Sequence, residues 1–201
     1  MFRDVRRIFD DELIIVLCRH TGPSHFLDFR RGCWPEPVVL GELDEYDLDG
    51  LLDRLAPALA QQDRAFDLLM DAHRRGEGHS ERTRTFQQMF EALLSHWQTA
   101  PATGAEAVES WLAFRDRVRR GLLRITDRPT RGRRVAVFTS AGFIGAAVAL
   151  ALDAPDRAAL ELGWRLRNGA LTRLVFSTGR LTLDDFNTIP HLPDPTHWTY
   201  R

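Results

Sequence analysis

The stretch that decides the fold is residues 135–152, which read VAVFTSAGFIGAAVALAL. The first five residues form a short apolar run rich in β-branched side chains and predict a buried strand, whereas the last ten are small and apolar and predict a helix. The three residues between them, Ser-Ala-Gly, predict a tight turn. A strand, a tight turn and a helix in this order begin a βαβ unit, so the stretch predicts an α/β fold.

The turn after this strand consists of Thr139, Ser140, Ala141 and Gly142. In parallel sheets, ligands bind at the carboxyl ends of the strands, where the following helices point their N-termini. Small side chains let the backbone approach a ligand, and the N–H groups of the first helical turn and the two hydroxyls can donate hydrogen bonds. These four residues are therefore a candidate anion-binding turn. The alternative is that Ser140 simply caps the helix.

Strand and helix patterns continue on both sides of this stretch. Residues 13–18 (LIIVLC) form a continuous apolar run that predicts a strand buried on both faces. Between about residues 47 and 125, apolar residues recur at three- and four-residue spacing, which predicts a series of helices. Residues 171–177 and 181–186 predict two strands joined as a hairpin. Helices that alternate with strands cover both faces of a sheet, so we expect three layers with a mostly parallel sheet.

The last helix of that series, residues 105–125, is rich in arginine. Its buried side is marked by apolar residues at helical spacing, and the remainder carries Arg115, Arg117, Arg119 and Arg120. A charge run of this kind is typical of a solvated helix face, and that is the interpretation of these four arginines.

Length and composition indicate one globular domain. The chain has 201 residues, of which 44% are hydrophobic and 27% are charged, and a single core commonly holds roughly 100 to 200 residues. We therefore expect one domain over residues 1–201. All 27 basic residues are arginines, yet the formal net charge is −1. Neither a nucleic acid nor a membrane is expected as a partner, because the charge is balanced and no apolar run is long enough to span a bilayer.

The N-terminal residues and the few cysteines and histidines indicate the cellular compartment and whether a metal is expected. The first residues, MFRDVRRIFDDEL, lack an uninterrupted apolar segment and a small-residue cleavage site, so a cytoplasmic location is expected. Cys18 and Cys33 are too few for a disulfide scaffold, and no Cys or His pair has the spacing of metal ligands. We therefore expect no metal and no other cofactor. No pattern indicates the oligomeric state.

Several ordered segments carry a resemblance to a known family. The stretch at 135–152, with NGALTRLVF (168–176) and LDDFNTIPHL (183–192), resembles the C-terminal half of the histidine phosphatase superfamily, the phosphoglycerate mutase-like proteins. ELDEYD (42–47) and ESWLAFRDRVRRGLL (109–123) resemble segments found in that order in one branch of the family. The resemblance implies a phosphoglycerate mutase-like fold in which the helices of about residues 47–125 form a lid over the carboxyl ends of the strands.

The resemblance also implies an activity: hydrolysis or transfer of the phosphoryl group of a small phosphomonoester through a phosphohistidine, without a metal. Arg19-His20-Thr21 is similar to the family's Arg-His-Gly motif, so His20 is the candidate nucleophile and Arg19 a candidate phosphate ligand. Glu45 falls where the family has its proton donor. The branch carries Thr-Ser-Gly-Gly at the turn after the strand, which makes Thr139, Ser140, Ala141 and Gly142 candidate phosphate ligands.

Two departures from the family pattern leave alternatives open. The second histidine of the family is expected where this chain has Ser140, and a serine supplies no positive charge. Only 24 positions separate His20 from Asp44, fewer than is usual in the family. Residues 14–23 can therefore instead be aligned with the family's second strand, in which case the N-terminal portion is shortened or aberrant and His20 is unrelated to the nucleophile.

These departures define the functional alternatives. One is a catalytically impaired relative that binds an anionic ligand, such as phosphate, or a protein partner through the same pocket. The other is a truncated product without a function of its own, which an open sheet edge would make poorly soluble. His191 is a further candidate for charge near the pocket, although the His-Leu pair near the C-terminus is usually structural in the family.

Overall fold

The computed structural model describes residues 14–19, 25–29, 36–99, 108–127 and 133–200, the first two ranges by their backbone. The strands are β1 (Ile14–Arg19), β2 (His25–Phe29), β3 (Val38–Val39), β4 (Arg134–Thr139), β5 (Leu171–Ser177) and β6 (Arg180–Thr188). The helices are α1 (Leu48–Gly50), α2 (Ala56–Gln62), α3 (Arg64–Arg75), α4 (His79–Thr99), α5 (Trp111–Thr126), α6 (Ala141–Ala151) and α7 (Arg157–Trp164). A π-helical segment, Leu51–Leu55, joins α1 to α2.

The described strands form one sheet in the order β3-β2-β4-β1-β5-β6. Strands β1 and β4 are parallel, and each of the other neighbouring pairs described is antiparallel. The expectation of a mostly parallel sheet is therefore wrong for these strands. The connections explain two of these pairs, because parallel neighbours need a crossover of roughly a dozen residues. Only residues 30–37 lie between β2 and its neighbour β3, and β5 turns into β6 through Thr178 and Gly179, where Gly179 takes a φ of 70°.

The chain divides into two compact units. One unit comprises residues 1–45 and 115–201, and it contains the described sheet, α6, α7 and most of α5. The other comprises residues 46–114 and is helical. The boundary falls within α5, whereas the lid was expected to extend to about residue 125. None of the helices in the described ranges combines the length and apolar character needed to cross a membrane.

The interior of the sheet-containing unit is built around β4 and α6. Val135 and Val137 of β4 are buried, as the alternation of a strand predicts. Almost every residue of α6 is buried too, which is typical of a helix that is apolar all round. Helix α7 approaches α6 closely at Gly145, where an added Cβ would lie 2.2 Å from the carbonyl oxygen of Ala159. The predicted strand-turn-helix is confirmed, and the turn is held by a rigid apolar helix.

An aromatic cluster forms part of the buried interior of the helical unit. Tyr46, Trp97, Trp111 and Phe114 lie with ring centroids 5.1 to 5.8 Å apart in contacting pairs. The indole N–H of Trp97 donates to the carbonyl oxygen of Glu109 at 2.7 Å, which satisfies the polar edge of a buried ring. This cluster ties the end of α4 to the start of α5.

Candidate active site

The carboxyl ends of β1 and β4 lie side by side. The two strands are parallel and in register, with Arg19 opposite Thr139. Parallel neighbours present their carboxyl ends at one edge of the sheet, the edge at which ligands bind in such folds. Arg19 is described by its backbone alone, and His20 lies outside the described residues. The backbone of Arg19, the first residue of the candidate nucleophile motif, therefore lies beside Thr139, the first residue of the candidate anion-binding turn.

Ser140 occupies the N-cap position of α6 with an extended backbone, φ −101° and ψ 171°. Its side chain makes no capping hydrogen bond to the helix. The Ser140 Oγ is buried and has no hydrogen-bond partner within the part of the chain that the structure describes. The interpretation of Ser140 as a side-chain helix cap is thus wrong. A buried hydroxyl without a partner carries a desolvation cost that a ligand oxygen could offset.

Glu45 caps α6 from outside the helix. Its Oε2 accepts a hydrogen bond from the backbone N–H of Gly142 at 3.0 Å, although the two residues are 97 positions apart in the sequence. A carboxylate is favoured at a helix N-terminus because the first N–H groups lack partners within the helix and the helix dipole is positive there. The structure therefore brings together the candidate acid and the candidate anion-binding turn.

Thr139 and Ala141 complete the turn. Thr139 is fully buried, and its hydroxyl donates to the carbonyl oxygen of Leu43 at 2.5 Å. Its hydroxyl proton is therefore directed at the segment that leads to Glu45. Ala141 is 4% exposed and has no polar side-chain atom, so it can offer a ligand only its backbone. In this arrangement Ser140 supplies the side-chain oxygen of the turn that is not already bonded.

Arg117 holds the segment that leads to Glu45, a role that the charge pattern of α5 did not predict. Its guanidinium donates to the carbonyl oxygens of Gly41 at 3.2 Å, Asp44 at 2.8 Å and Glu45 at 3.1 Å. The interpretation of Arg117 as part of a solvated helix face is therefore wrong. Arg119, with its side chain 62% exposed and paired with Asp116 on the same helix, fits that interpretation.

A glycine in α5 is the signal that could have revealed the role of Arg117. Gly121 lies four residues further on, so it shares a helix face with Arg117. A Cβ at Gly121 would lie 3.2 Å from the Cβ of Glu42 and 3.2 Å from a methyl group of Leu43. Glycine costs about 1 kcal/mol in a helix interior, so its presence there indicates that another backbone passes close by.

Charge at this face of α5 also acts on Glu42. Arg124 Nη1 lies 2.9 Å from Glu42 Oε1. The pKa of the Glu42 carboxyl is lowered from its ordinary value, mainly by a hydrogen bond from its own backbone N–H. The hydrogen bond and charge of Arg124 and the charge of Arg120 lower the pKa further. Together these effects outweigh partial desolvation, which raises it. Glu42 is therefore held as a carboxylate against the helix, and it anchors the start of the segment that carries Glu45.

Within the described ranges, no group of three or more His, Cys, Asp or Glu side chains is arranged to hold a metal ion. The site that the structure describes thus consists of a carboxyl group, a buried hydroxyl and the N-terminus of α6. Such a set can bind an anion through hydrogen bonds and can exchange a proton with it through Glu45.

Comparison with known proteins bears on this site. The model of the histidine phosphatase superfamily (branch 1) matches residues 70–189, which is more than half of the chain and includes α5, β4, the turn and α6. Among solved structures, a candidate alpha-ribazole-5'-P phosphatase from Escherichia coli K-12 is similar, with 13% identity and a TM-score of 0.42 over 88% of this chain and 97% of that one. That likeness is too distant to carry an argument. Among the curated proteins, none matches.

Proposed function

This chain belongs to the histidine phosphatase superfamily (branch 1), and on that premise we propose that it is a phosphatase-type enzyme that acts on a small phosphomonoester. The observation that supports the proposal most directly is the hydrogen bond from Gly142 N–H to Glu45 Oε2. It joins a proton-transfer group to the N-terminus of α6 at the sheet edge where β1 and β4 end. A carboxyl group next to an anion-binding turn suits hydrolysis of a phosphate ester, because the turn can hold phosphate oxygens while the carboxyl group protonates the leaving oxygen.

We assign the nucleophile to His20, as the resemblance implies. Its neutral imidazole forms a bond to phosphorus while the bond from phosphorus to the ester oxygen breaks, and Glu45 in its acid form protonates the departing oxygen. Water then attacks the phosphohistidine, Glu45 takes a proton from that water, and phosphate leaves as the imidazole is restored. Arg19 and the turn from Thr139 to Gly142 hold the phosphoryl oxygens. No metal enters this scheme.

Ser140 limits the rate in this scheme. A histidine at this position would supply positive charge to the phosphoryl oxygens, whereas a serine supplies one hydrogen bond. The positive end of α6 and Arg19 provide the remaining stabilisation. We therefore expect turnover to be slow compared with relatives that carry the second histidine.

Rapid quenching tests the assignment of the nucleophile. The wild-type protein is mixed with 32P-labelled 4-nitrophenyl phosphate and quenched in alkali, in which phosphohistidine survives. We expect label on the protein, lost in His20→Ala and retained in the control His191→Ala. Full activity or full labelling in His20→Ala would contradict the assignment of His20.

The second candidate function is a catalytically impaired relative that binds phosphate or another anion without turnover. Two observations favour it: Ser140 stands where the family has its second histidine, and Glu45 already occupies the Gly142 N–H that a phosphate oxygen would use. Calorimetric titration with inorganic phosphate, together with a sensitive phosphatase assay, separates the two functions. Binding without turnover supports the impaired relative, and sustained turnover excludes it.

Other expectations raised by the sequence belong to the proposal as well. They are the three-layer arrangement, the single domain over residues 1–201, the lid function of the helices at about 47–125 and a cytoplasmic location. The lid is tested by substrate preference, because exchanges at exposed residues of a lid alter the relative rates on different phosphomonoesters. The small phosphorylated substrate remains to be identified by such a screen.

A further inference from the structure

One guanidinium group holds the backbone that carries the candidate acid. We define the acid loop as residues 41–45, and Arg117 of α5 donates hydrogen bonds to its carbonyl oxygens at Gly41, Asp44 and Glu45. Arginine suits this task because its donors are arranged in a planar, rigid fork and the group stays charged. A lysine has a single ammonium on a flexible stem and cannot hold the same geometry.

The contacts of the acid loop show why one side chain can govern the position of Glu45. Glu45 is in neither a helix nor a strand, so no regular hydrogen-bond ladder holds its backbone. Leu43 is tied to Thr139 and Glu42 to Arg124, both upstream of Glu45. Arg117 bonds to the carbonyl oxygens of Asp44 and Glu45 themselves, and it projects from a helix whose neighbouring Val118 is fully buried. Arg117 thereby fixes the end of the acid loop to helix α5.

We propose that Arg117 is a positioning residue that sets the Glu45 carboxyl for proton transfer to the leaving oxygen, an inference that rests on the proposed function. A general acid must lie within about 2.6 to 3.2 Å of the atom it protonates. Displacement of a reacting group by about 1 Å can cost on the order of 100-fold in rate. Loss of the bonds to Asp44 and Glu45 removes two contacts that hold this backbone, so we expect the carboxyl group to shift.

Leaving-group dependence gives the catalytic test. Protonation of the leaving oxygen matters greatly for an alkyl phosphate and little for 4-nitrophenyl phosphate, whose leaving group is a stable anion. We expect Arg117→Gln to lower kcat/KM, which reports the phosphoryl-transfer step that releases the leaving group, by about tenfold or more for the alkyl ester, with a much smaller effect for the nitrophenyl ester. Glu45→Gln should show the same pattern, and the double variant should be no worse than Glu45→Gln alone.

Matched variants separate positioning from loss of structure. Arg119→Gln removes an arginine from the same helix that pairs with Asp116 on the exposed face, so both substrates should be turned over at wild-type rates. Arg117→Lys should retain the fold and recover part of the alkyl-ester activity. Equal losses of kcat/KM on the two esters in both Arg117 variants would overturn the proposal, as would full additivity with Glu45→Gln.

Hydrogen exchange at the Gly142 amide gives a readout that does not require activity. This N–H is bonded to Glu45, so a displaced carboxyl exposes it. We expect faster exchange at Gly142 in Arg117→Gln, approaching that of Glu45→Ala, and unchanged exchange in Arg119→Gln. Unchanged exchange in Arg117→Gln overturns the positioning role. A wild-type protein without phosphatase activity contradicts the proposed function alone, and the exchange result still decides the role of Arg117.

Discussion

The hydroxyl of Thr139 and the carbonyl oxygen of Leu43 are joined by a buried hydrogen bond of 2.5 Å across 96 positions of sequence. Both residues are fully buried. Because water cannot reach this carbonyl oxygen, its pairing depends on the threonine hydroxyl. The bond therefore couples the end of β4 to the acid loop.

Thr139→Val tests this coupling because valine keeps the shape of the side chain and removes the donor. The buried carbonyl of Leu43 loses its partner, so we expect the free energy of unfolding to fall by about 1 to 3 kcal/mol. Urea denaturation measures the loss. Thr139→Ser keeps the hydroxyl and serves as the control, with a smaller loss from the missing methyl group. Equal stability of Thr139→Val and wild type would show that the bond contributes nothing.

Gly145 in α6 tests the close packing behind the turn. A Cβ at this position would lie 2.2 Å from the carbonyl oxygen of Ala159 and 3.2 Å from the backbone nitrogen of Gly163. Backbone atoms cannot rotate away, so we expect Gly145→Ala to lower the free energy of unfolding by about 1 to 3 kcal/mol or more.

Gly163 provides a matched control for that substitution. A Cβ there would meet the carbonyl oxygen of Ala141 at 3.5 Å, an ordinary contact distance. Because alanine is favoured over glycine in helices by up to about 1 kcal/mol, Gly163→Ala should be neutral or stabilising. Thermal unfolding of both variants decides the point, and similar midpoints for the two would contradict the close approach at Gly145.

The lowered pKa of Glu42 predicts a dependence of stability on pH. Its own backbone N–H and the neighbouring Arg124 favour the carboxylate in the folded protein, so the folded pKa lies below the unfolded one. The stabilisation is therefore present above the unfolded pKa, about 4.3 for glutamate, and is lost as the pH falls through the folded pKa. Its size is below about 1 kcal/mol because the side chain is partly solvated.

Glu42→Gln tests whether the stabilisation by Glu42 is lost at acidic pH. At about pH 7 the variant should be less stable than wild type. The difference should shrink as the pH falls below the unfolded pKa of about 4.3 and vanish once the pH lies below the folded pKa. Urea midpoints at both pH values measure it, and Arg124→Gln should show the same trend. High salt should reduce the difference at neutral pH by screening. A gap that stays constant at acidic pH would assign the effect to packing rather than charge.

Trp198 tests how the C-terminal segment is held. Arg167 Cζ lies 4.6 Å from the Trp198 ring centroid, and the indole N–H donates to the carbonyl oxygen of Leu192 at 2.9 Å. A cation–π contact contributes about 0.5 to 1 kcal/mol and a neutral hydrogen bond about 1 kcal/mol. We expect Trp198→Ala to lose both and Trp198→Phe to lose mainly the hydrogen bond. Equal losses in denaturation experiments would show that the ring itself contributes little.

The local sequence pattern was enough to predict individual strands and helices. It did not predict whether neighbouring strands run parallel or antiparallel. The apolar run and small-residue turn of residues 135–152 predicted β4 and α6 within a few residues, and the hairpin at 171–186 is confirmed as β5 and β6. Membership of the histidine phosphatase superfamily is likewise confirmed. The direction of each strand pair depends on which strands become neighbours, and that is a property of the whole chain.

The site was predictable in part, for a physical reason. The turn was identified from its strand-turn-helix pattern and Glu45 through the resemblance. The structure brings the two together, although their roles stay predictions, as does that of His20. Arg117 was missed because an arginine on a helix has the same local pattern whether it meets water or a carbonyl oxygen. Its partners lie 72 to 76 positions away in the sequence, beyond the reach of any local pattern.

A substitution at Ser140 is expected to change phosphate affinity without lowering the stability of the fold. Its Oγ is buried and bonded to nothing in the described ranges, and it makes no capping bond. Ser140→Ala therefore removes a desolvated hydroxyl and no existing bond, so we expect the free energy of unfolding to stay the same or to rise by up to about 3 kcal/mol. If phosphate bonds to this oxygen, affinity for inorganic phosphate should fall by about 10- to 150-fold, since a hydrogen bond to a charged group contributes about 1.5 to 3 kcal/mol.

Ser110 is the matched control because its Oγ does cap a helix. It accepts from the N–H of Ala113 at 3.2 Å at the start of α5. Ser110→Ala should therefore lower the free energy of unfolding by about 1 kcal/mol and leave phosphate affinity unchanged. Calorimetric titration and urea denaturation of the two variants should thus give opposite patterns. Unchanged phosphate affinity in Ser140→Ala would mean that the anion binds away from this turn.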